Sequence, residues 1–292
     1  MTGLLQLLIS GLAAGAIYAL VAIGFTLLWQ TSQTINFAQG EFVMLPAFFV
    51  LAGMRFLGLA LWPALAFGLV VSLVLLGAIF KKLLVDPLLR HGVLPLVIAT
   101  IGLSIFSKEA VKTYYSGEAQ RFPELISAGT LHIGGAVLSL QDLLVLAVAV
   151  GAVVLLQLFL ARTETGRAMQ ATAQNRTVAA ILGIAVERMI LYTFLLNAAL
   201  VFLASVLISP VYLAKFDNGD TLGLVAFTAA IVGGFNQVRG AIAGGFIIGI
   251  ADNLTAAYVS TQYRTAVPLL LLVAVTILRP RGLLGRVEER AA

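Results

Sequence analysis

Residues 163–188, TETGRAMQATAQNRTVAAILGIAVER, set Glu164, Arg167, Arg176, Glu187 and Arg188 between two long apolar runs. A soluble protein would hide such runs and show the polar segment to water. Each flanking run is long enough to cross a bilayer, for which about 20 apolar residues suffice. The segment therefore reads as a loop on one membrane face, and the chain as an all-α, polytopic transmembrane bundle.

Composition agrees. The chain has 292 residues, 61% hydrophobic and 11% charged, where a soluble domain is about 25% charged. A net charge of +5 could suggest nucleic acid in a soluble protein; here it fits basic loops facing the cytoplasm, with a lipid bilayer and no nucleic acid as partner. The absence of Cys excludes disulfides and thiolate chemistry. Residues 1–40 carry no charged side chain, so the basic start of a cleavable signal is not expected.

Upstream of the loop, spans are expected near 4–28, 36–54, 56–80, 93–106 and 141–161. Pro46 should kink the second, and the fourth is short unless Lys108 and Lys112 snorkel. Lys81, Lys82, Arg90 and His91 form a basic loop between the third and fourth. Residues 113–140 are an external segment in which TLHIGGAVLSL, broken at Gly134-Gly135, predicts a small β-hairpin near 130–140. Downstream, 189–213 is a span. Residues 221–260 are two short spans or a re-entrant, broken-helix unit, and 265–278 is the last span. The count is about eight to nine, in one transmembrane domain over 1–292. With the 81–91 loop inside, parity places 163–188 and the tail with Arg279, Arg281, Arg286 and Arg290 inside too, and requires an outside N-terminus.

Within the loop, Asn175 can cap a short helix and Gly183 suits its left-handed end, with Ile184 as hydrophobic follower. Val178, Ile181 and Leu182 supply an apolar face, and Ala179 and Ala180 leave its surface low. So short a helix is unstable alone in water. It packs on its own protein, lies in the lipid interface, or docks into a partner's groove.

The two histidines, His91 and His132, fall outside the spans, which disfavours a buried triad or a His-rich metal cluster. No GxxxxGK[ST] occurs, so the chain lacks a phosphate-cradling loop of that type; any ATPase driving it is another chain. Asn36 with Gln39 three residues on is a capping-box variant, and Glu41 suits the first turn of a helix. Together they start a helix or form a gate beside a pathway. Asp252, with Asn253 next to it, is isolated in apolar sequence, where a charge costs about 2.5–3.5 kcal/mol on insertion scales. It is either a structural ion pair with Arg239 or Arg264, or a pathway group. Asn197, Ser205 and Thr228 are weaker lining candidates.

Thr177-Val178-Ala179-x3-Gly183 resembles the EAA-x3-G loop of ABC-importer permeases, departing from it at Thr177 and Val178. Gly15-Ala16-Ile17-Tyr18-Ala19-Leu20, Asn36-Phe37-Ala38-Gln39-Gly40-Glu41, Leu182-Gly183-Ile184, Gly233-Gly234 and Arg279-Pro280-Arg281-Gly282-Leu283-Leu284-Gly285 resemble, in one order, the permease family of branched-chain amino-acid ABC importers. The resemblance implies a subunit of the bacterial inner membrane without catalytic residues. It would work with a second permease copy or relative, two ATPases that use ATP and Mg, and an external substrate-binding protein. No cofactor is expected on this chain. The family also takes urea and short amides. A self-contained ion-coupled transporter or channel, with Asp252 as its ion site, is the rival; the scarcity of carboxylates in the spans disfavours it. An intramembrane enzyme is poorer still.

Overall fold

The computed structural model describes residues 2–126, 129–133 and 136–285. Gly134-Gly135, Arg286 and Arg290 lie outside the described residues, as does the side chain of His132. In order come α1 (Thr2–Ser32), α2 (Gln39–Leu57), α3 (Leu61–Ser72), a wider π-helical stretch (Leu73–Val85), α4 (Asp86–Leu89) and α5 (Val93–Tyr115). Strands β1 (Thr130–Ile133) and β2 (Ala136–Ser139) follow, then α6 (Leu140–Arg162), α7 (Glu164–Gln174), α8 (Arg176–Ile181), α9 (Val186–Tyr212), α10 (Asn218–Gly233), α11 (Val238–Tyr258) and α12 (Ala266–Leu278). The helices are long because lipid offers no partner for a free backbone group, and a helix satisfies its own.

Among the described residues, seven helices are long and apolar enough to cross a membrane, and α12 is a shorter apolar one. The 221–260 stretch resolves into the 16-residue α10 and the 21-residue α11, joined by a tight turn in which Gln237 N–H donates to Gly234 O at 3.0 Å. The hairpin forms as expected, with Leu131 opposite Leu138. Two boundaries differ from the expectation. The third span does not stop at Phe80: Leu61–Leu89 is one span, so Lys81 and Lys82 lie in helix and only the end of the basic cluster turns. The fourth span runs to Tyr115 and takes in Lys108 and Lys112, as snorkelling requires.

The chain forms two compact units, one of Met1–Thr26, Glu124–Val150 and Leu224–Ala292, the other of Leu27–Pro123 and Gly151–Gly223. In the first, glycines of α1 and α11 face each other. A Cβ on Gly249 would overlap the Gly15 backbone, and one on Gly245 would sit 2.5 Å from the Ala19 amide nitrogen. Small residues let two backbones touch where apolar burial gives no net drive in lipid. The C-terminal RPRGLLG motif closes the end of α10: Leu283 and Leu284 donate to the carbonyls of Val232 and Gly233, each at 2.9 Å. These are terminal carbonyls that the helix cannot satisfy itself.

In the second unit, Pro46 sits inside α2. Beside it, Ala47 N–H donates to Ser205 Oγ of α9 at 3.0 Å. A hydroxyl from a neighbouring helix thus repairs the ladder that proline interrupts. Phe42 meets Phe80 edge to face and Phe80 tilts against Phe194, with ring centroids 4.8 and 5.9 Å apart.

Candidate functional site

Much of the loop 163–188 is helical. Thr163 caps α7 by accepting from Gly166 N–H at 2.9 Å. Asn175 ends α7 and caps α8, its Oδ1 accepting from Val178 N–H at 3.0 Å. At the other end Gly183 has φ +81°. Ile184 N–H donates to Ala179 O, and Gly183 N–H to Ala180 O, each at 3.0 Å. These are the two bonds of a Schellman closure. A helix of six residues is therefore fixed at both ends.

Its faces divide differently from the expectation. Ala179 is 1% exposed and turned into its own unit, so it is no part of an outward surface. Val178, Ile181 and Leu182 are 49%, 79% and 72% exposed, and Thr177 and Ala180 are exposed beside them. Helical periodicity places Val178, Ile181 and Leu182 on one side, and all three are exposed. It could not tell which side the unit's own core would take.

Arg176, the first residue of α8, borders a cleft of about 380 Å³ with Asp86, Arg90, Glu187 and Ile190. Its Nη2 is buried without a hydrogen-bond partner among the described residues. Burial pushes its guanidinium below the usual range, and the nearby Glu187 carboxylate opposes that shift. Behind the cleft lies Lys81, 6% exposed, donating to Asp86 at 2.9 Å and to Glu187 at 2.7 Å.

The signature 36–41 builds a buried polar core in the second unit. Gln39 and Asn197 exchange two amide hydrogen bonds, Gln39 Nε2 to Asn197 Oδ1 at 2.7 Å and Asn197 Nδ2 to Gln39 Oε1 at 3.1 Å. Neither side chain is exposed. Asn36 Nδ2 also reaches Gln39 Oε1, at 3.4 Å, and Asn36 Oδ1 accepts from Ala38 N–H at 3.0 Å. The expected capping box does not form: the residue before the helix is Ala38, and Gln39 is drawn to Asn197 instead. A buried amide without a partner costs more than an imperfect cap. Glu41, buried in the first turn of α2, lies close to Ser104, Lys108 and Asp220. Lys108 and Asp220 form an ion pair of their own. Gly40 lets α2 meet the start of α10, since a Cβ on Gly223 would stand 2.8 Å from Gly40 Cα.

In the first unit Asp252 is fully partnered. Arg264 donates through Nε at 2.9 Å and Nη2 at 2.7 Å, and Tyr18 O–H at 3.0 Å. Arg239, the other candidate, is exposed. Asn253 donates to Gly249 O of its own helix at 3.2 Å, and Thr228 likewise to Leu224 O. Ser205 repairs the proline break. The structure thus groups Asn36, Gln39, Glu41 and Asn197 in one unit and Asp252 and Asn253 in the other.

Sequence reading passed over four groups. Lys81 hid in what looked like the basic edge of a loop, though the apolar run LLGAIF before it was the signal. Lys108 is expected only at a snorkelling end of the fourth span, and nothing in the sequence marks Asp220 as its partner. Asp142 accepts from Ser10 at 2.6 Å; a carboxylate one residue into an apolar run marks it.

Long apolar helices, a few polar side chains buried together between them, and a short capped helix with an exposed apolar face are the features of a membrane permease subunit. Comparison with known proteins gives the family. The model for the permease component of branched-chain amino acid transport systems matches residues 7–276, and the chain belongs to that family. It is 33% identical to the high-affinity branched-chain amino acid transport permease LivH of Escherichia coli K12, over 97% of this chain and 96% of that one. Identity to BraD of Pseudomonas aeruginosa, another high-affinity branched-chain amino acid permease, is 32% with the same coverage. A probable branched-chain amino acid permease of Methanocaldococcus jannaschii is 27% identical over 91% of this chain and 88% of that one. The solved structure of PsaBC from Streptococcus pneumoniae in complex with a Fab shares the fold, with a TM-score of 0.53, 13% identity and coverage of 94% and 91%.

Proposed function

We propose that this permease is the membrane-spanning subunit of an ATP-driven importer for branched-chain or other hydrophobic amino acids. It forms one permease domain of a bacterial cytoplasmic membrane, with residues 163–188 and the C-terminus in the cytoplasm. A second permease copy or relative, two ATPase subunits and an external substrate-binding protein complete the assembly. ATP and Mg are used on the ATPases, and this chain contributes no catalytic group and no cofactor of its own.

One observation carries the reading. In α8 and its C-terminal cap the apolar side chains Val178, Ile181 and Leu182 point outward from a helix capped at both ends. Exposed apolar surface on a rigid element suits burial against a partner, and a helix in a groove is a recurrent mode. Closure of the ATPases would displace this helix, and the spans would open to the other face. Asp252 supports the importer over an ion-coupled carrier, because Arg264 and Tyr18 already occupy its oxygens.

The test is reconstitution. The permease, co-purified with its ATPase in mild detergent and placed in liposomes, should take up leucine only with internal ATP and external binding protein. Leucine uptake that follows an ion gradient without ATP would overturn the importer.

A further inference from the structure

Glu187 is the second residue of α9 and stands five positions beyond Leu182. The backbone between them is tied by the Schellman bonds and by Val186 N–H to Ile184 O at 2.9 Å. Glu187 therefore moves with α8. Its carboxylate takes Lys81 Nζ at 2.7 Å, and the second partner of Lys81, Asp86 at 2.9 Å, belongs to the same long span as the lysine. A desolvated ammonium is not readily released from either carboxylate, since breaking one contact leaves a buried charge with a single counter-charge.

Beside the ion pair, the Phe80 and Phe194 rings meet with centroids 5.9 Å apart, and the two helices approach closely at a glycine. Four residues before Lys81, Gly77 lies against Leu195 and Ala198 of α9: a Cβ there would be 2.9 Å from Leu195 Cδ2 and 3.3 Å from its Cα. A surface without a side chain keeps the helices together but does little to stop one sliding along the other. Leu195 is eight residues up α9 from Glu187, about 12 Å, and the lysine stem closes the remaining distance from Gly77 down to the carboxylate. Register along the axis is set by the ion pair together with the Phe80–Phe194 contact, and the ion pair is the part that reaches the start of α9, next to α8.

We propose that Lys81 is the positioning residue that makes the span Leu61–Leu89 follow the coupling loop, so that displacement of α8 becomes an axial shift of that span. This rests on the reading of α8 as the element moved by the ATPases.

Leucine taken up and ATP hydrolysed are measured in the reconstituted complex. If ATP drives no leucine uptake by the unmodified complex, the importer reading falls and this inference with it. With that complex active, Lys81→Met and Glu187→Gln should each lower leucine moved per ATP on the order of tenfold, as a lost coupling term does. ATPase co-purification and ATP turnover should hold. The double substitution should be no worse than either alone, because both remove one link. Glu187 is 79% exposed, so Glu187→Gln decides the matter even where Lys81→Met reduces folded protein. Unchanged leucine per ATP in Glu187→Gln overturns the inference.

Discussion

α8 and α11 use apolar residues in opposite ways. α11 has 21 residues; Gly245 and Gly249 bring it against α1, and its one carboxylate is enclosed by Arg264 and Tyr18. α8 has six residues; only Ala179 is buried, and its larger apolar side chains face out. A long helix can be held by its flank. A short one gains little from its flank and is held by its ends, which frees its outer face for another molecule. The same difference separates a substitution that destroys the fold from one that destroys only an assembly.

The largest effect is expected in α11. Gly249→Leu would push a side chain into the backbone of Gly15. Overpacking costs about 1–3 kcal/mol even where side chains can yield, and a backbone yields less. Most of the permease should disappear from the monodisperse fraction on size-exclusion chromatography, ATPase present or not. Normal recovery would show that the glycine seam is dispensable.

Next comes Ile181→Glu. At 79% exposure the change leaves the permease itself nearly untouched, but against a partner it buries a charge at a cost of several kcal/mol. ATPase recovered per permease should fall more than about tenfold, since 1.4 kcal/mol already gives that factor. Permease yield should stay. Gly183→Val follows, with a β-branched residue held at φ +81°. Strain there is on the order of 1–3 kcal/mol, felt as partial loss of ATPase and of protection from proteolysis after Gln174, while the spans melt unchanged.

Asp252→Asn is the smallest. Removing one partner of a buried pair can cost 3–5 kcal/mol, but Arg264 is 32% exposed and can turn to water, which cuts this to about 1–2 kcal/mol. Thermal unfolding in detergent should come a few degrees earlier, with leucine uptake per folded permease unchanged. A selective loss of uptake would return Asp252 to the pathway.

The sequence told most about segments whose chemistry is local. Asn175 and Gly183 announce both ends of α8, because capping involves only residues within one turn. Apolar runs announce the spans for the same reason. It told less wherever a side chain finds its partner far along the chain. Gln39 could not be seen to choose Asn197 over a cap, nor Lys81 to leave the basic cluster for Glu187. Ala179 was legible as small but not as buried, because helical periodicity gives the angles between side chains and leaves open which of them meets the core. Asp252 is the intermediate case: Arg264 lies 12 residues away, near enough to be named and too far to be chosen over Arg239.

Because the chain has no cysteine, single cysteines report the orientation of α8 directly. In the assembled complex, Leu182→Cys should cross-link to the ATPase with a short bifunctional maleimide, and Ala179→Cys should not, since Ala179 is 1% exposed within its own unit. That pattern is the prediction. Cross-linking at neither position, with Leu182→Cys still labelled by a soluble maleimide in the intact, transporting complex, would mean that no ATPase covers α8 and would contradict the account.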